Sequence, residues 1–421
     1  MAANVNYTGA YKLEKAPLLE NEIEYKPIPV KELLKEMKNL STLMVDLAYL
    51  SVLYNDVELA WEVYELEKRI DYLELLLTMQ ASLATRNVRD AEKIVSIHRL
   101  ATASNKVSDA AADIAGIVLS KTGLPPLSIV DLFPKDSMVA KIVVPDNFQA
   151  RGVKIRELID ELKVILNIMV IRRERNWILE PDENFVLHSG DVLLVEGTEN
   201  SINLLKKYFN IPVTKPYAEK AVEYRRIAEG LYQLKNTSQV MLDLAYTALL
   251  TKSEEFAEKI EELEDYVDRM AKSFELEVIL HEKLSAMEKL NIVSIAVSSE
   301  NIADAALEMV EPLLKGLEPH PIIMDVLWET EERISVIEMD ETDEGKTLTE
   351  LGYGDRGITV LAVRRGDKWF ITPPYTGFKV KSGDILIVKY FSESEEIVEE
   401  LEKEEDREEM IEEIQEEEWE E

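Results

Sequence analysis

The chain has 421 residues, 46% of them hydrophobic, no cysteine and a formal net charge of −35. That length has room for several domains with real cores, and the lack of cysteine excludes disulfides, thiolate metal sites and cysteine nucleophiles. So acidic a chain is not built to meet nucleic acid, and no apolar run nears the ~20 residues that span a bilayer, so a cytoplasmic protein is expected.

Residues 1–27 carry no periodicity and are expected to form an arm. The pattern is then helical to residue 123. Leu40, Leu43, Leu47 and Leu50 mark one apolar stripe, and Leu66, Ile70, Leu73 and Leu77 another, three or four residues apart. Three helices are predicted, over about 29–55, 57–85 and 88–120, with "NDVE" (Asn55–Glu58) and "RNVRDAE" (Arg86–Glu92) supplying turns and N-caps. Short loops between them imply an antiparallel three-helix bundle over 28–123. "KTGLPPLSIVDLFPKDS" (Lys121–Ser137) then breaks helix with Gly and Pro. Residues 136–210 follow as an α+β module of order β-α-β-β-β-α. It starts with the strand "MVAKIVVP" (Met138–Pro145) and the short helix "GVKIRELIDEL" (Gly152–Leu162). The strands "ILNIMVIRR", "NWILEP" and "DVLLVEG" come next, and "ENSINLLKKYF" (Glu199–Phe209) closes the module as a helix.

The remainder repeats this plan. "LHSGDVLLVEG" (Leu187–Gly197) returns as "VKSGDILIVKY" (Val380–Tyr390), which places Asp191 and Asp384 193 residues apart. "MVDLAYLSVL" (Met44–Leu53) returns as "MLDLAYTALL" (Met241–Leu250), and "YELEKRIDYL" (Tyr64–Leu73) as "EELEDYVDRM" (Glu261–Met270), both at an offset of 197. "ASNKVSDAAADIA" (Ala103–Ala115) matches "SSENIADAALEMV" (Ser298–Val310) at 195. Such intervals are too long for a solenoid and suit a duplicated domain pair. A second bundle is therefore expected over 211–318 and a second α+β module over 331–405. The fold class is multidomain α and α+β, with an internal duplication of a three-helix bundle followed by a β-α-β-β-β-α module. Residues 406–421 form an acidic tail; from Glu393 onward 18 acids face only Lys403 and Arg407, as in a solvated helix end or a disordered segment. In the repeated Ser-Gly-Asp turn, Gly supplies positive φ before a strand and Asp can bond its own backbone, so the turn is expected to be structural first.

Enzyme chemistry finds little to build on. "GYGDRG" places Gly352, Gly354 and Gly357 in a G-x-G-x-x-G spacing, but it follows a short helix and precedes a strand, the reverse of a dinucleotide loop. His98, His188, His281 and His320 lack ligand spacing. Carboxylates are the better candidates. Glu67 and Asp71 lie four apart and are repeated by Glu264 and Asp268; Asp109 and Asp113 are repeated by Asp304 and Glu308, and Glu300 with Asp304 is a further pair. Spacing of four puts both carboxylates on one helix face, where like charges repel by a few tenths of a kcal/mol, about 0.2–0.5. Two such faces together could hold a hard or borderline cation. In so acidic a chain the commoner reading is a solvated face, with Lys68, Arg69 and Arg269 nearby. The second candidate is basic: Arg172-Arg173 and Arg364-Arg365 end equivalent strands and could meet a phosphate or carboxylate. The alternative there is a hairpin end with solvated charges, or with pairing to Glu174 and Asp367.

These residues carry a family likeness. The strand module, with "NIMVIRR", "NWILEP" and "SGDVLLVEG" in one copy and "GKTLTELGYGDRGITVLAVRRGDKWFITPP" and "VKSGDILIVKY" in the other, resembles the TrkA-C (RCK C-terminal) domain. The helical module resembles half of a PhoU protein, with its E-x-x-x-D signature at Glu67/Asp71 and Glu264/Asp268. The architecture resembles archaeal PhoU–TrkA-C tandem proteins related to potassium channels. The resemblance implies a non-enzymatic, dimeric regulator acting on a separately encoded membrane cation transporter or channel, with a small ligand in its TrkA-C modules. Asn167 matches the Asn of a cyclic di-AMP-binding motif, but no Arg lies between Ile159 and Leu166, and the second copy has Thr359. No NAD is expected, because the NAD-binding half of a full RCK protein is not matched. PhoU resemblance implies instead a divalent or ferric ion on the carboxylates and regulation of phosphate transport. A dimerising scaffold without a small ligand is the third reading.

Overall fold

The computed structural model describes residues 11–12, 25–120, 124, 138–145, 152–164, 166–173, 176–179, 181–212, 224–328, 332–366, 368–371, 377–391 and 397–398. In chain order, strand β1 (Tyr11–Lys12) precedes three long helices, α1 (Val30–Tyr54), α2 (Val57–Ala84) and α3 (Val88–Leu119). The first sheet module contains β2 (Met138–Val143), β3 (Val153–Lys154), α4 (Ile155–Leu162), β4 (Leu166–Arg173), β5 (Asn176–Leu179), β6 (Val186–Leu187), β7 (Val192–Gly197) and α5 (Glu199–Tyr208). Helices α6 (Arg225–Leu250), α7 (Glu254–Leu280) and α8 (Ala286–Leu314) follow, then the short α9 (Pro321–Trp328). The second sheet module has β8 (Glu332–Glu338), α10 (Leu348–Leu351), β9 (Ile358–Arg365), β10 (Lys368–Ile371) and β11 (Ile385–Phe391).

The chain divides into two compact units, and each takes one module from each half of the duplication. One gathers the long helices and α9; the other gathers the sheet modules and β1. In the helical unit the ends of the helices are written locally. Asp56 caps α2 by accepting from Glu58 N and Leu59 N at 3.0 and 3.1 Å, and Asn87 caps α3 through Arg89 N and Asp90 N. Asn55 ends α1 in the left-handed region, φ 47°. Each bundle has its three helices in mutual contact, and α3 also packs against α8. Both seam helices are rich in buried small residues, among them Ala103, Ser104, Ala111, Ser299, Ala303 and Ala306, which let two helix axes approach closely. The first helix of each bundle is buried nearly all round, with Leu33, Leu40, Met44 and Leu47 fully inside on α1; each such side chain contributes about 1.5–3 kcal/mol by leaving water.

The echo "VDLAY"/"LDLAY" finds its explanation at this seam. Asp46 of α1 accepts from Lys235 Nζ of α6 at 3.4 Å, with side-chain exposures of 4% and 9%. Lys235 Nζ also lies 6.0 Å from the Tyr49 ring centre, and Lys38 Nζ lies 5.7 Å from that of Tyr246. The Tyr49 hydroxyl meets Ser299 Oγ at 2.5 Å. Charged residues at 38, 46, 235 and 243 are thus core residues, all buried. Helix α9 was not anticipated. It starts at Pro321, where a missing N–H costs nothing, and packs on α1 and α6.

In the sheet unit the first module orders its strands β1-β5-β4-β7-β2 and the second β10-β9-β11-β8, with every neighbouring pair in both sheets antiparallel. The order of the four main strands is therefore the same in both. So is a β-bulge: the register of β4 against β7 shifts between Ile168 and Val170, and that of β9 against β11 at the equivalent place, between Ile387 and Val388. Alternation puts Ile168, Ile171, Leu193 and Val195 in one core, and Val360, Val363, Leu386 and Val388 in the other. The N-terminal arm, expected to lack regular structure, contributes β1, which adds to the edge of β5. The "GYGDRG" glycines are structural: Gly352 caps α10 at φ 73° and Gly357, at φ 74°, ends a 3₁₀ turn before β9. The segment Lys121–Ser137, but for residue 124, and the acidic tail 406–421 lie outside the described residues.

Candidate functional site: two acidic helix pairs

On α2, Glu67 and Asp71 are one turn apart; on the antiparallel neighbour α3, Asp109 and Asp113 are one turn apart. The fold brings all four into one electrostatic cluster. The Glu67 carboxyl is pushed up to about 7, first by burial and then by the charges of Asp71, Asp109 and Asp113. Asp109 is pushed up to about 6 by burial, then by Asp71, Asp113 and Glu74. Asp71 is raised by burial, partly offset by a hydrogen bond from the Asn105 side chain. The basic neighbours bond elsewhere, Lys68 Nζ donating to Glu65 at 3.0 Å and Arg69 forking onto Glu36 at 2.7 and 3.0 Å, though the Lys68 charge still favours ionisation of Glu67.

The second bundle places a related cluster on α7 and α8, with Glu300 where the first has Asn105, and among the described residues only this cluster brings three carboxylate oxygens together. One carboxylate oxygen each from Glu264, Asp268 and Asp304 lies within 4.8 Å of the others. Glu300 hydrogen-bonds Asp268 and is pushed up to about 7, by burial first and then by that bond and the charges of Asp268 and Asp304. Asp268 is held below the usual range, chiefly by the hydrogen bond from the Lys272 ammonium. Burial also raises Glu264 and Asp304, with Asp268 the next cause for each. Glu308 reaches across the seam to Lys106 of α3.

An all-carboxylate donor set suits a hard or borderline cation such as Mg²⁺, Mn²⁺, Ca²⁺ or a ferric ion. Each cluster also has an oxygen in reserve. Asn105 Oδ1, beside Asp71, and Glu308 Oε2, beside Asp304, are buried and accept no hydrogen bond among the described residues. Buried acceptors normally find a donor, so these two are what a cation site would leave open. The donor chemistry and the orphan oxygens both fit a metal ion.

The arginine candidates meet a different fate. Arg173 donates to both oxygens of Asp191, Nε to Oδ1 and Nη2 to Oδ2, each at 2.8 Å, and also to Val186 O at 2.6 Å. Asp191 accepts from His188 N at 2.7 Å, and the guanidinium lies 4.9 Å from the Phe185 ring centre. The second module repeats this: Arg365 forks onto Asp384 at 2.7 and 2.6 Å, Lys381 N donates to the same carboxylate, and Phe370 and Phe378 flank the guanidinium. The aspartate of each Ser-Gly-Asp turn is therefore a buried anchor for the arginine at the end of the neighbouring strand, with Gly190 and Gly383 at φ 85° and 78° turning the chain. Arg173 and Arg365, candidates to meet a phosphate or carboxylate, each meet a carboxylate of the chain itself; Glu174 and Asp367, the partners of the alternative reading, lie outside the described residues. Arg172 sits in register with Trp177 and Val192, Arg364 with Trp369 and Ile385, and Asn167 with Glu196. The fold does not gather these five residues into one pocket within either module: Asn167 and Arg173 lie at opposite ends of β4.

Family models match this chain in three places. The PhoU domain matches residues 34–118 and 231–313, and the TrkA-C domain matches 139–210. The chain carries two PhoU domains and a TrkA-C domain, with a second module of the same strand order after the second bundle. Both are regulatory, non-catalytic domain families. Among solved structures, the phosphate transport system regulatory protein PhoU from Streptococcus pneumoniae is 14% identical, with a TM-score of 0.40, over 68% of this chain and 91% of that one. PhoU from Pseudomonas aeruginosa is also 14% identical, with a TM-score of 0.37, over 72% and 96%. The GsuK RCK domain is 13% identical, with a TM-score of 0.17, over 70% and 78%. A search of curated proteins gives no match.

Proposed function

We propose that this chain is a non-enzymatic, cation-responsive regulatory protein that acts on a separately encoded membrane transporter or channel for potassium or a related cation. The observation that carries this reading is the convergence of Glu264, Asp268 and Asp304 within 4.8 Å, with a related acidic cluster in the first bundle, in a chain that also holds a TrkA-C domain. No helix of the described residues is long and apolar enough to cross a membrane; in this reading the transporter is a separate partner and the chain acts on it from the cytoplasm, at least as a homodimer. Glu67, Asp71, Asp109 and Asp113 would hold a cation in the first bundle; Glu264, Asp268, Asp304 and Glu300 would do so in the second. The cation supplies positive charge that lets these carboxylates ionise together. A ligand shifts a conformational equilibrium only by its differential affinity for the two states, so the signal to the partner is the helix arrangement in which the carboxylates converge.

The two PhoU matches favour a second reading, regulation of phosphate transport. One experiment separates them. A deletion strain is assayed for potassium and phosphate uptake, with complementation by wild type and by a Glu67→Gln, Asp109→Asn, Glu264→Gln, Asp268→Asn variant. Altered potassium uptake that only the wild type restores supports the first reading; altered phosphate uptake supports the second. Unchanged uptake of both favours a scaffold.

A further inference from the structure

The two sheet modules share one strand order but differ at one edge. The first sheet has five strands and the second four. The extra strand is β1, which pairs antiparallel with β5, Tyr11 opposite Leu179 and Lys12 opposite Ile178. The equivalent edge of the second sheet is β10, with a like sequence, "KWFITP" (Lys368–Pro373) against "NWILEP" (Asn176–Pro181). Among the described residues no strand pairs with the outer side of β10, while the opposite edges, β2 and β8, end both sheets alike. Register fixes which peptide groups of β10 point outward. Arg365 and Lys368 close the β9–β10 hairpin across two residues. Bonding alternates along an antiparallel pair, so the N–H and C=O groups of Trp369 and Ile371 face away from β9. Ile371 therefore stands where Leu179 meets Tyr11. The charge at this edge differs as well. Lys368, Lys379 and Lys381, all exposed, stand where the first module has Asn176, Val186 and His188. Lys379 is near Glu350. Lys368 and Lys381 flank the Arg365–Asp384 pair, the first in register with Arg365 and the second through its backbone N–H to Asp384.

We propose that the β10 edge is a docking site for an extended segment of a partner protein, added as a fifth strand with a carboxylate opposite Lys368. An exposed edge offers a row of backbone groups ready to pair; main-chain hydrogen bonds supply the affinity and side chains choose the partner. The chain shows the pairing itself, because its own arm completes the first sheet. It has one such strand for two equivalent edges, so the second edge takes its strand from elsewhere. A second copy's arm would fill it only by leaving its own β5. The chain's acidic tail is a poor strand, because glutamate is depleted in strands. In a chain of net charge −35, lysines at this edge select an acidic segment. The proposal is independent of the cation reading above.

The probe is a fluorescein-labelled peptide of the arm sequence Asn6–Ala16, added to the full chain and followed by anisotropy. Laid on β10 in the register of β1 and carried on by two residues, it sets Glu14 opposite Lys368. Wild type should bind one peptide per chain. Ile371→Pro removes an N–H that faces outward and spares the β9 ladder; it should abolish binding. A Glu14→Lys peptide should bind about fivefold more weakly, and Lys368→Glu in the protein should restore it while weakening the native peptide. Should the proline variant fail to fold, this reciprocal swap decides alone. Binding that ignores both Ile371→Pro and the charge at 368 would place the peptide elsewhere and overturn the proposal, as would no binding at millimolar peptide. Two further outcomes would take the edge from a partner protein. Binding only after residues 406–421 are removed would give it to the chain's own tail, and dimers in light scattering that Ile371→Pro abolishes would give it to a second copy.

Discussion

In the sheet modules Arg173 meets Asp191 and Arg365 meets Asp384 through the same two hydrogen bonds, each reinforced by a backbone N–H and an aromatic ring. In the helical bundles Asp71 and Asp268 are equivalent too, yet one meets an amide and the other an ammonium. Burial accounts for the difference. Asp191 and Asp384 are each 1% exposed, and an unpaired charge there would be costly. The acidic clusters are half-open to water, where Lys272 can stand in place of Leu75 and Glu300 in place of Asn105 without leaving a charge buried and unpaired. Duplication has kept the interactions that hold the fold and let those on the half-open helix faces diverge.

The largest effects should therefore come from the repeated buried pairs. Asp46→Ala leaves Lys235 buried without its carboxylate and should destabilise the helical unit by about 3–5 kcal/mol, seen as a lower urea midpoint. Asp191→Ala and Asp384→Ala should each cost the sheet unit about 2–3 kcal/mol, less than a fully buried pair because the guanidiniums are partly exposed. Near-equal losses at 191 and 384 would support equivalence of the modules; a loss at only one would break the comparison. Asp71→Asn and Asp268→Asn should both stay within about 0.5 kcal/mol, as surface changes usually do.

A smaller effect belongs to α9. His320 accepts from Ile322 N at Nδ1, at 3.1 Å, and its backbone N–H donates to Ser96 Oγ at 2.9 Å. An acceptor Nδ1 requires neutral imidazole, and burial, with Lys93 nearby, lowers the His320 pKa below its ordinary value. A lowered histidine pKa gives stability that is present above about pH 6.5 and is lost as pH falls through the folded-state value. The protection of residues 322–326 from hydrogen exchange, taken relative to the intrinsic rate at each pH, should fall below pH 6, and His320→Asn, which keeps an acceptor at the cap, should remove that acid dependence.

Much of this architecture was legible in the sequence. The six long helices were, because apolar stripes and Asp or Asn caps are local signals. The acidic clusters were half legible: the i,i+4 spacing showed that Glu67 and Asp71 share a face, while only packing shows that α3 brings Asp109 and Asp113 to them. The Arg–Asp pairs were not legible, although "IRR" and "VRR" precede each "SGD" by a similar interval, because a pairing across strands depends on register. Lys38, Asp46, Lys235 and Asp243 gave a signal that passed unused: a charge inside an otherwise apolar run, repeated in both halves. Helix α9 was missed because eight residues after His-Pro offer two turns and little periodicity.

The smallest effect tests the acidic clusters without any metal. Glu67 and Glu300 titrate near 7, and Asp109 near 6, in the folded protein, against ordinary values of 4.5 and 3.8. A carboxyl whose folded pKa is raised binds its proton more tightly folded than unfolded. Its contribution is therefore complete below about pH 4 and is lost as pH rises through 6 to 7. After chelation, the helical unit should melt at a lower temperature at pH 8 than at pH 5.5. Glu67→Gln, which has no proton to lose, should raise Tm at pH 8 by an amount on the order of 1 °C and leave it unchanged at pH 4. Added Mn²⁺ should reverse the trend, because a cation binds the ionised carboxylates and so gains with pH. A chelated protein whose Tm is flat from pH 5.5 to 8, in wild type and variant alike, would mean that these carboxylates are solvated and independent, and the helical bundles would then differ from the sheet modules only in lacking a buried pair at this place.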